Sequence, residues 1–266
     1  MTATTALYVP GDRPDRFEKA VAAGPDIVIL DLEDAVAADA KRAALDAVTQ
    51  WLAERGGEDG PDEGPVVQVR INPGADHELA ALVGTGAGFG LRVPKVESAA
   101  DLDAIAERAP GHPLTALIES ALGLERAFEL ASHPAVVALG AGESDLAAEL
   151  RTRDQAVVDH IRIRLLIAAC AAGLPAPMLA AYSGIRDLDG LRADTERGRS
   201  LGWYGRSAVH PAQLPVIRSV FEPRDEELRW ARAVLDALAS GGVATLADGQ
   251  MVDAAMAVRA RGILGR

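Results

Sequence analysis

Within residues 114–146, LTALIESALGLERAFELASHPAVVALGAGESDL, Glu119 follows one apolar run, while Glu143 and Asp145 follow a second run and the turn Gly140-Ala141-Gly142. If both runs are strands of a parallel sheet joined by a helix, their ends share one edge and bring the acids together. Neighbouring carboxylates raise each other's pKa unless a cation lies between them. Hard cations take one or two carboxylates together with water and substrate oxygens. The chain has no His pair at zinc spacing, so Mg2+ or Mn2+ is the expected ion and Glu119 and Asp145 its ligands. The competing reading is helix N-capping, since each acid precedes a helical stretch.

Other charged residues recur after apolar runs. Arg70 closes VVQVR, where its fork suits a substrate carboxylate or pairs with Asp31 or Glu33. Of the 27 basic residues only Lys19, Lys41 and Lys95 are lysines. Lys95 in VPKVES is read as a Schiff-base amine or as a point charge beside an anionic substrate and Glu97. Arg13, Arg16 and Lys19 in LYVPGDRPDRFEKA form either a solvated helix face or a cationic rim for a cofactor with several phosphates. His210 is a site candidate or a loop cap, and Cys170, in LLIAACAAG, reads as a buried packing residue.

Short apolar runs bounded by Gly, Pro or acids place strands at 6–9, 26–30, 66–71, 90–93, 114–118, 135–139, 178–181 and 207–209. Helical spacing occupies 14–23, 38–55, 99–108, 124–131, 156–172 and 188–201, with a short, weak crossover near 77–83. This alternation predicts an α/β fold, a (β/α)8 TIM barrel, with a doubly wound sheet as runner-up. The glycine tract 84–90 does not fit G-x-G-x-x-G and precedes a strand, which weakens the runner-up. Charged residues gather after the strands, while turn residues, including His112 and His133, precede them; the carboxyl face is therefore the working face. The acidic, breaker-rich segment 54–65 reads as a mobile connection. Residues 1–222 are assigned to the barrel and 223–266 to a helical C-terminal extension, a cap or an intersubunit arm that carries Asp253 to another site.

With 266 residues the chain can bury roughly 75% of its unfolded surface in one unit. Its formal charge of -12 argues against nucleic acid and anionic membranes, and aromatics at 4% leave no base-stacking platform. No apolar run spans a bilayer and no signal peptide is evident, so a cytoplasmic protein is expected.

The segments LYVPGDRP, DIVILDLEDAV, VRIN, VPKVES, ALIESALG, GESDLA, AVHP and GQMVD, in order from residue 7 to 253, resemble the citrate lyase β-subunit-like proteins of the HpcH/HpaI aldolase and malyl-CoA lyase superfamily. The resemblance implies a Mg2+-dependent TIM barrel, usually trimeric, that acts on carbon–carbon or thioester bonds of short hydroxyacyl-CoA compounds. Position by position it makes Glu119 and Asp145 metal ligands and Arg70 the clasp for a keto- or hydroxy-acid carboxylate. Tyr8, Arg13 and Lys19 match CoA-binding positions, and Asp253 matches a general acid/base given to a neighbouring subunit of a trimer or hexamer. Two departures stand out: Ser144 where the family has Glu, and Met178-Leu179-Ala180 where it often has an acid and glycine. The expected activity is a lyase that releases acetyl-CoA and a 2-keto acid. The alternatives are thioester hydrolysis, a class II pyruvate aldolase that uses no CoA, and a carrier-dependent citrate lyase β subunit.

Overall fold

The second strand is apolar up to its last residue, Asp31, as a parallel strand covered on both faces must be. It runs beside others of its kind in a computed structural model that describes residues 3–55, 64–239 and 241–265. Seven parallel strands form one sheet: β1 (Thr5–Pro10), β2 (Ile27–Asp31), β3 (Val66–Arg70), β4 (Gly90–Val93), β5 (Leu114–Ile118), β6 (Val136–Ala141) and β7 (Arg206–Ala208). Their order is β6-β5-β4-β3-β2-β1-β7. The helices between them are α1 (Phe17–Ala22), α2 (Lys41–Arg55), α3 (Asp76–Val83), α4 (Ala99–Arg108), α5 (Ala121–Glu125), α6 (Ala127–Ala131), α7 (Glu143–Glu149), α8 (Gln155–Ala171) and α9 (Leu188–Leu201). After β7 comes α10 (Leu214–Phe221).

Local signals set the helix ends. Ser98 and Asp101 form a capping box at α4, and Asp187 accepts from the Gly190 amide at the start of α9. Gly202 closes α9 at φ 104°, a left-handed turn that suits glycine.

Three expectations need correction. Residues 178–181 are not a strand: Met178 makes a single bridge to Gly140 and Leu179 a single bridge to Arg206. Pro175 and Pro177 remove two backbone donors just before, so no ladder forms there, and the expected eight strands become seven plus a bridged segment. The stretch 124–131 is broken at Arg126 into α5 and α6. Cys170 is exposed, because α8 buries Ile161, Leu165, Ala168 and Ala169 and turns position 170 outward. Most of the 54–65 segment lies outside the described residues. His112 and His133 do serve turns: His112 Nδ1 lies 2.9 Å from the Phe89 carbonyl, and His133 Nδ1 accepts from the Ala135 amide.

The chain divides into two compact units, one spanning Ala3–Val220 and the other beginning at Phe221. The second comprises α11 (Asp225–Ala237), a hairpin of β8 (Ala244–Thr245) and β9 (Met251–Val252), and α12 (Ala254–Leu264). It has its own core of Ala231, Val234, Val252, Ala260 and Ile263.

Candidate active site

Parallel register fixes which side chains meet. Asp31 and Arg70 are partners across β2 and β3, and Arg70 and Arg92 across β3 and β4, so three charged side chains stand at one height on one face of the sheet. They line a cavity of about 380 Å³ together with Tyr8, Glu119 and Asp145. Arg70 is held firmly: its Nε and Nη2 donate to the two Asp31 oxygens at 2.7 and 2.6 Å, and Nη1 lies 3.2 Å from Asp34. Asp31 also accepts from the amides of Glu33 and Ala35, which fixes the loop after β2. The expected pairing of Arg70 with these acids is therefore present. Burial opposes the Arg70 charge, but Asp31 outweighs it and raises the pKa further.

Glu33 is 4% exposed and neither carboxylate oxygen receives a hydrogen bond, although Arg70 Nη1 comes within 3.1 Å and Lys95 Nζ within 3.5 Å. Its pKa is pushed up to about 7. Burial is the main cause; Arg70 opposes it, and the charges of Asp34 and Glu119 add to it.

Glu119 lies just past β5 and is 8% exposed. It does not cap the next helix, because Ser120 does so by accepting from the Gly123 amide. Instead Glu119 Oε2 accepts from the Lys95 amide at 3.0 Å, for which Lys95 adopts φ 53°, a left-handed conformation rare outside glycine. Gly142 closes the other side, since a Cβ there would stand 2.5 Å from Glu119 Cγ. Burial raises the Glu119 pKa, the Lys95 amide lowers it, and the Asp145 charge raises it again.

Asp145 sits in the first turn of α7, whose N-cap Gly142 has no side chain to bond the turn. The neighbouring acid Glu143, which also lines the cavity, is engaged in a bidentate pair with Arg162 at 2.9 and 2.7 Å. Arg162, 1% exposed, also binds Asp194, and Asp194 binds the equally buried Arg206. Ser144 lines the cavity.

Among the described residues no group of three or more His, Cys, Asp or Glu side chains could hold a metal by itself. Two carboxylates lining one cavity, Glu119 buried and its pKa raised by burial and by the Asp145 charge, are nonetheless the donor set a magnesium ion completes with water and substrate oxygens, so Glu119 and Asp145 fit such an ion.

A second cavity of about 440 Å³ shares Tyr8 and Val209 with the first, and Arg13, Arg16, Lys19 and His210 line it. Arg13 is paired with Asp15 at 2.9 Å. His210 caps a turn by accepting from the Ala212 amide at 3.1 Å, so the capping reading describes its bonding. Asp253 belongs to the C-terminal unit, where its Oδ1 caps α12 through the amides of Ala255 and Met256. Sequence reasoning missed Arg92, which lies inside a strand instead of at its end; a lone arginine in GLRV was the available signal.

The family model for HpcH/HpaI aldolase/citrate lyase matches residues 4–211. The chain is 37% identical to a (3S)-malyl-CoA thioesterase of Cereibacter sphaeroides, covering 98% of this chain and 93% of that protein. It is 39% identical to a citrate lyase subunit beta-like protein of Mycobacterium tuberculosis, covering 98% and 94%. The crystal structure of CitE from Mycobacterium tuberculosis in complex with magnesium, acetoacetate and coenzyme A superposes with a TM-score of 0.83 at 36% identity, covering 99% of this chain and 97% of that one. With the family match spanning the sheet and the acids at its edge, the chain belongs to the HpcH/HpaI aldolase/citrate lyase family.

Proposed function

We propose that the protein is a Mg2+-dependent lyase that cleaves the carbon–carbon bond of a short hydroxyacyl-CoA thioester, of malyl, citramalyl or citryl type, into acetyl-CoA and a 2-keto acid. The observation that carries this reading is the convergence of Glu119, Asp145 and Arg70 on a cavity that shares Tyr8 with a cation-lined neighbour. The relative crystallised with magnesium, acetoacetate and coenzyme A supports it. We read the fold as a TIM barrel, supported by that likeness and by the bridges at Met178 and Leu179, with residues from about 223 as its C-terminal arm.

Glu119 and Asp145 would hold the ion, which would supply Lewis acidity at the substrate hydroxyl and ease loss of its proton in the cleavage direction. Arg70, immobilised by Asp31, presents a fixed positive charge to the carboxylate of the acid. Lys95 adds charge at the rim and has no Schiff-base role. Tyr8, Arg13 and Lys19 receive the CoA portion, with the cations toward its phosphates. Asp253, supplied by a neighbouring subunit of a homotrimer or hexamer, protonates the thioester carbon that departs. The protein acts in the cytoplasm; among the described residues no helix is long and apolar enough to cross a membrane.

Hydrolysis of the same thioester is the second reading, favoured by the likeness to the malyl-CoA thioesterase. Incubating the protein and Mg2+ with malyl-, citramalyl- and citryl-CoA, while following keto acid and free thiol separately, decides between them. Keto acid without thiol is the expected result, and thiol without keto acid makes the enzyme a thioesterase. Glu119→Ala should abolish turnover while the fold persists; full activity in that variant overturns the ion assignment.

A further inference from the structure

Arg70 and Arg92 are register partners on adjacent strands, and both guanidinium groups approach the Tyr8 ring, at 5.1 and 5.6 Å from its centroid. Their surroundings differ. Arg70 has Asp31, Glu33 and Asp34 within ion-pair distance. Arg92, 6% exposed, has no carboxylate partner among the described residues. Its one side-chain bond is a 3.2 Å contact from Nη1 to the Gln68 amide oxygen, and its buried Nε has no partner. Space is kept for the group: a Cβ on Gly140 would stand 3.2 Å from Arg92 Nη2.

A buried cation without a counter-ion is costly, because one neutral hydrogen bond and a nearby ring replace only part of the hydration it has lost. Arg92 lines the same cavity as Glu119 and Asp145. We infer that Arg92 is a specificity-determining residue that takes the second carboxylate of a short 2-hydroxy or 2-oxo dicarboxylic unit. This rests on the proposed reading of the site, in which the first carboxylate, next to the reacting oxygen, belongs to Arg70 and the ion. It selects a citryl-type substrate over the malyl and citramalyl types, whose keto-acid parts carry a single carboxylate.

The test uses malate and lactate, stable 2-hydroxy acids that differ by one carboxylate, with full-length protein, with and without Mg2+, by calorimetry. Malate should bind about tenfold or more tightly than lactate, the value of one charge-assisted contact. Arg92→Met should bring malate to the level of lactate and leave lactate within about twofold, with Arg92→Lys between them. The ligand-free Arg92→Met protein should melt at the same or a higher temperature, because it loses an uncompensated buried charge. A preference that survives in Arg92→Met, or its absence from the wild type, overturns the assignment of Arg92 alone. A lower melting temperature with equal loss of both acids makes Arg92 structural and also overturns it. Failure of the wild type to bind either acid overturns the parent reading as well. A preference that is Mg2+-independent but lost in Arg92→Met supports Arg92 and removes the ion.

Discussion

Glu33 carries two buried oxygens that receive no hydrogen bond and titrates near neutrality, about 7 against an ordinary 4.5. A raised carboxyl pKa means that the folded state keeps a proton the unfolded chain has lost. The contribution of Glu33 to stability is therefore fully present below about pH 4.5 and is lost as pH rises through about 7. Glu33→Gln fixes the neutral form. Relative to wild type it should gain about 1 to 3 kcal/mol between those limits, seen as urea midpoints measured across pH in EDTA. Parallel profiles for the two proteins would remove Glu33 as the titrating group. At this scale the sequence was partly legible. That Glu119 and Asp145 would meet at one cavity could be read, because each follows an apolar run. Arg92 could not, because its role depends on which acids its neighbours already occupy, and pairing across strands is not written along one segment. Cys170 misled for a related reason: an apolar run on a helix is not uniformly buried.

Helix α7 hangs from a chain of charges, Glu143 to Arg162 to Asp194 to Arg206, that ties it to α8, α9 and β7. Burial alone would raise the Asp194 carboxyl, but the two arginines outweigh it and hold it below the usual range. Its stabilisation is therefore present above the ordinary carboxyl pKa and fades as pH falls through the lowered value. Arg162→Met strands Glu143, leaves Asp194 with Arg206 alone, and should cost about 3 to 5 kcal/mol in chemical denaturation. A loss below about 1 kcal/mol would show that solvent already screens the network. The expected helix 188–201 and strand 114–118 coincide with α9 and β5, because strong periodicity and clear end signals leave little choice. The expected seventh strand failed where Pro175 and Pro177 overrode an apolar pattern. Helix α7 escaped notice because its first turn, Glu143 to Leu146, has few apolar positions to set a period.

For the molecule as a whole, a formal charge of -12 surrounds a cavity lined by Arg13, Arg16 and Lys19, so cations are concentrated where the proposal puts phosphate. The C-terminal unit has its own core, and Asp253 caps a helix within it. If Asp253 serves a neighbouring subunit, mixing inactive Asp253→Ala and Arg70→Ala proteins should restore part of the activity, up to about a quarter of sites in random dimeric contacts. No recovery in oligomers shown to be mixed would place all the chemistry within one chain. The order of motifs along the sequence was enough to indicate the family, since it survives changes that obscure any single contact.

Seven strands are laddered to one another, whereas Met178 and Leu179 meet the outer two through one bridge each. The sheet is thus continuous from β6 to β7, and the segment at Met178 and Leu179 joins its two ends by isolated bridges. Arg70 and Arg92 are mounted on the laddered strands and Glu119 directly follows one of them, while Ala180 and Ala181, just past the bridged residues, line the same cavity. Differences in ligand bulk should be accommodated where the lining is alanine, while the charged groups keep the spacing that the register sets. Enlarging Ala180 should then narrow the range of ligand sizes and leave the requirement for charge unchanged, which binding of a graded series of 2-hydroxy acids to Ala180→Leu would check.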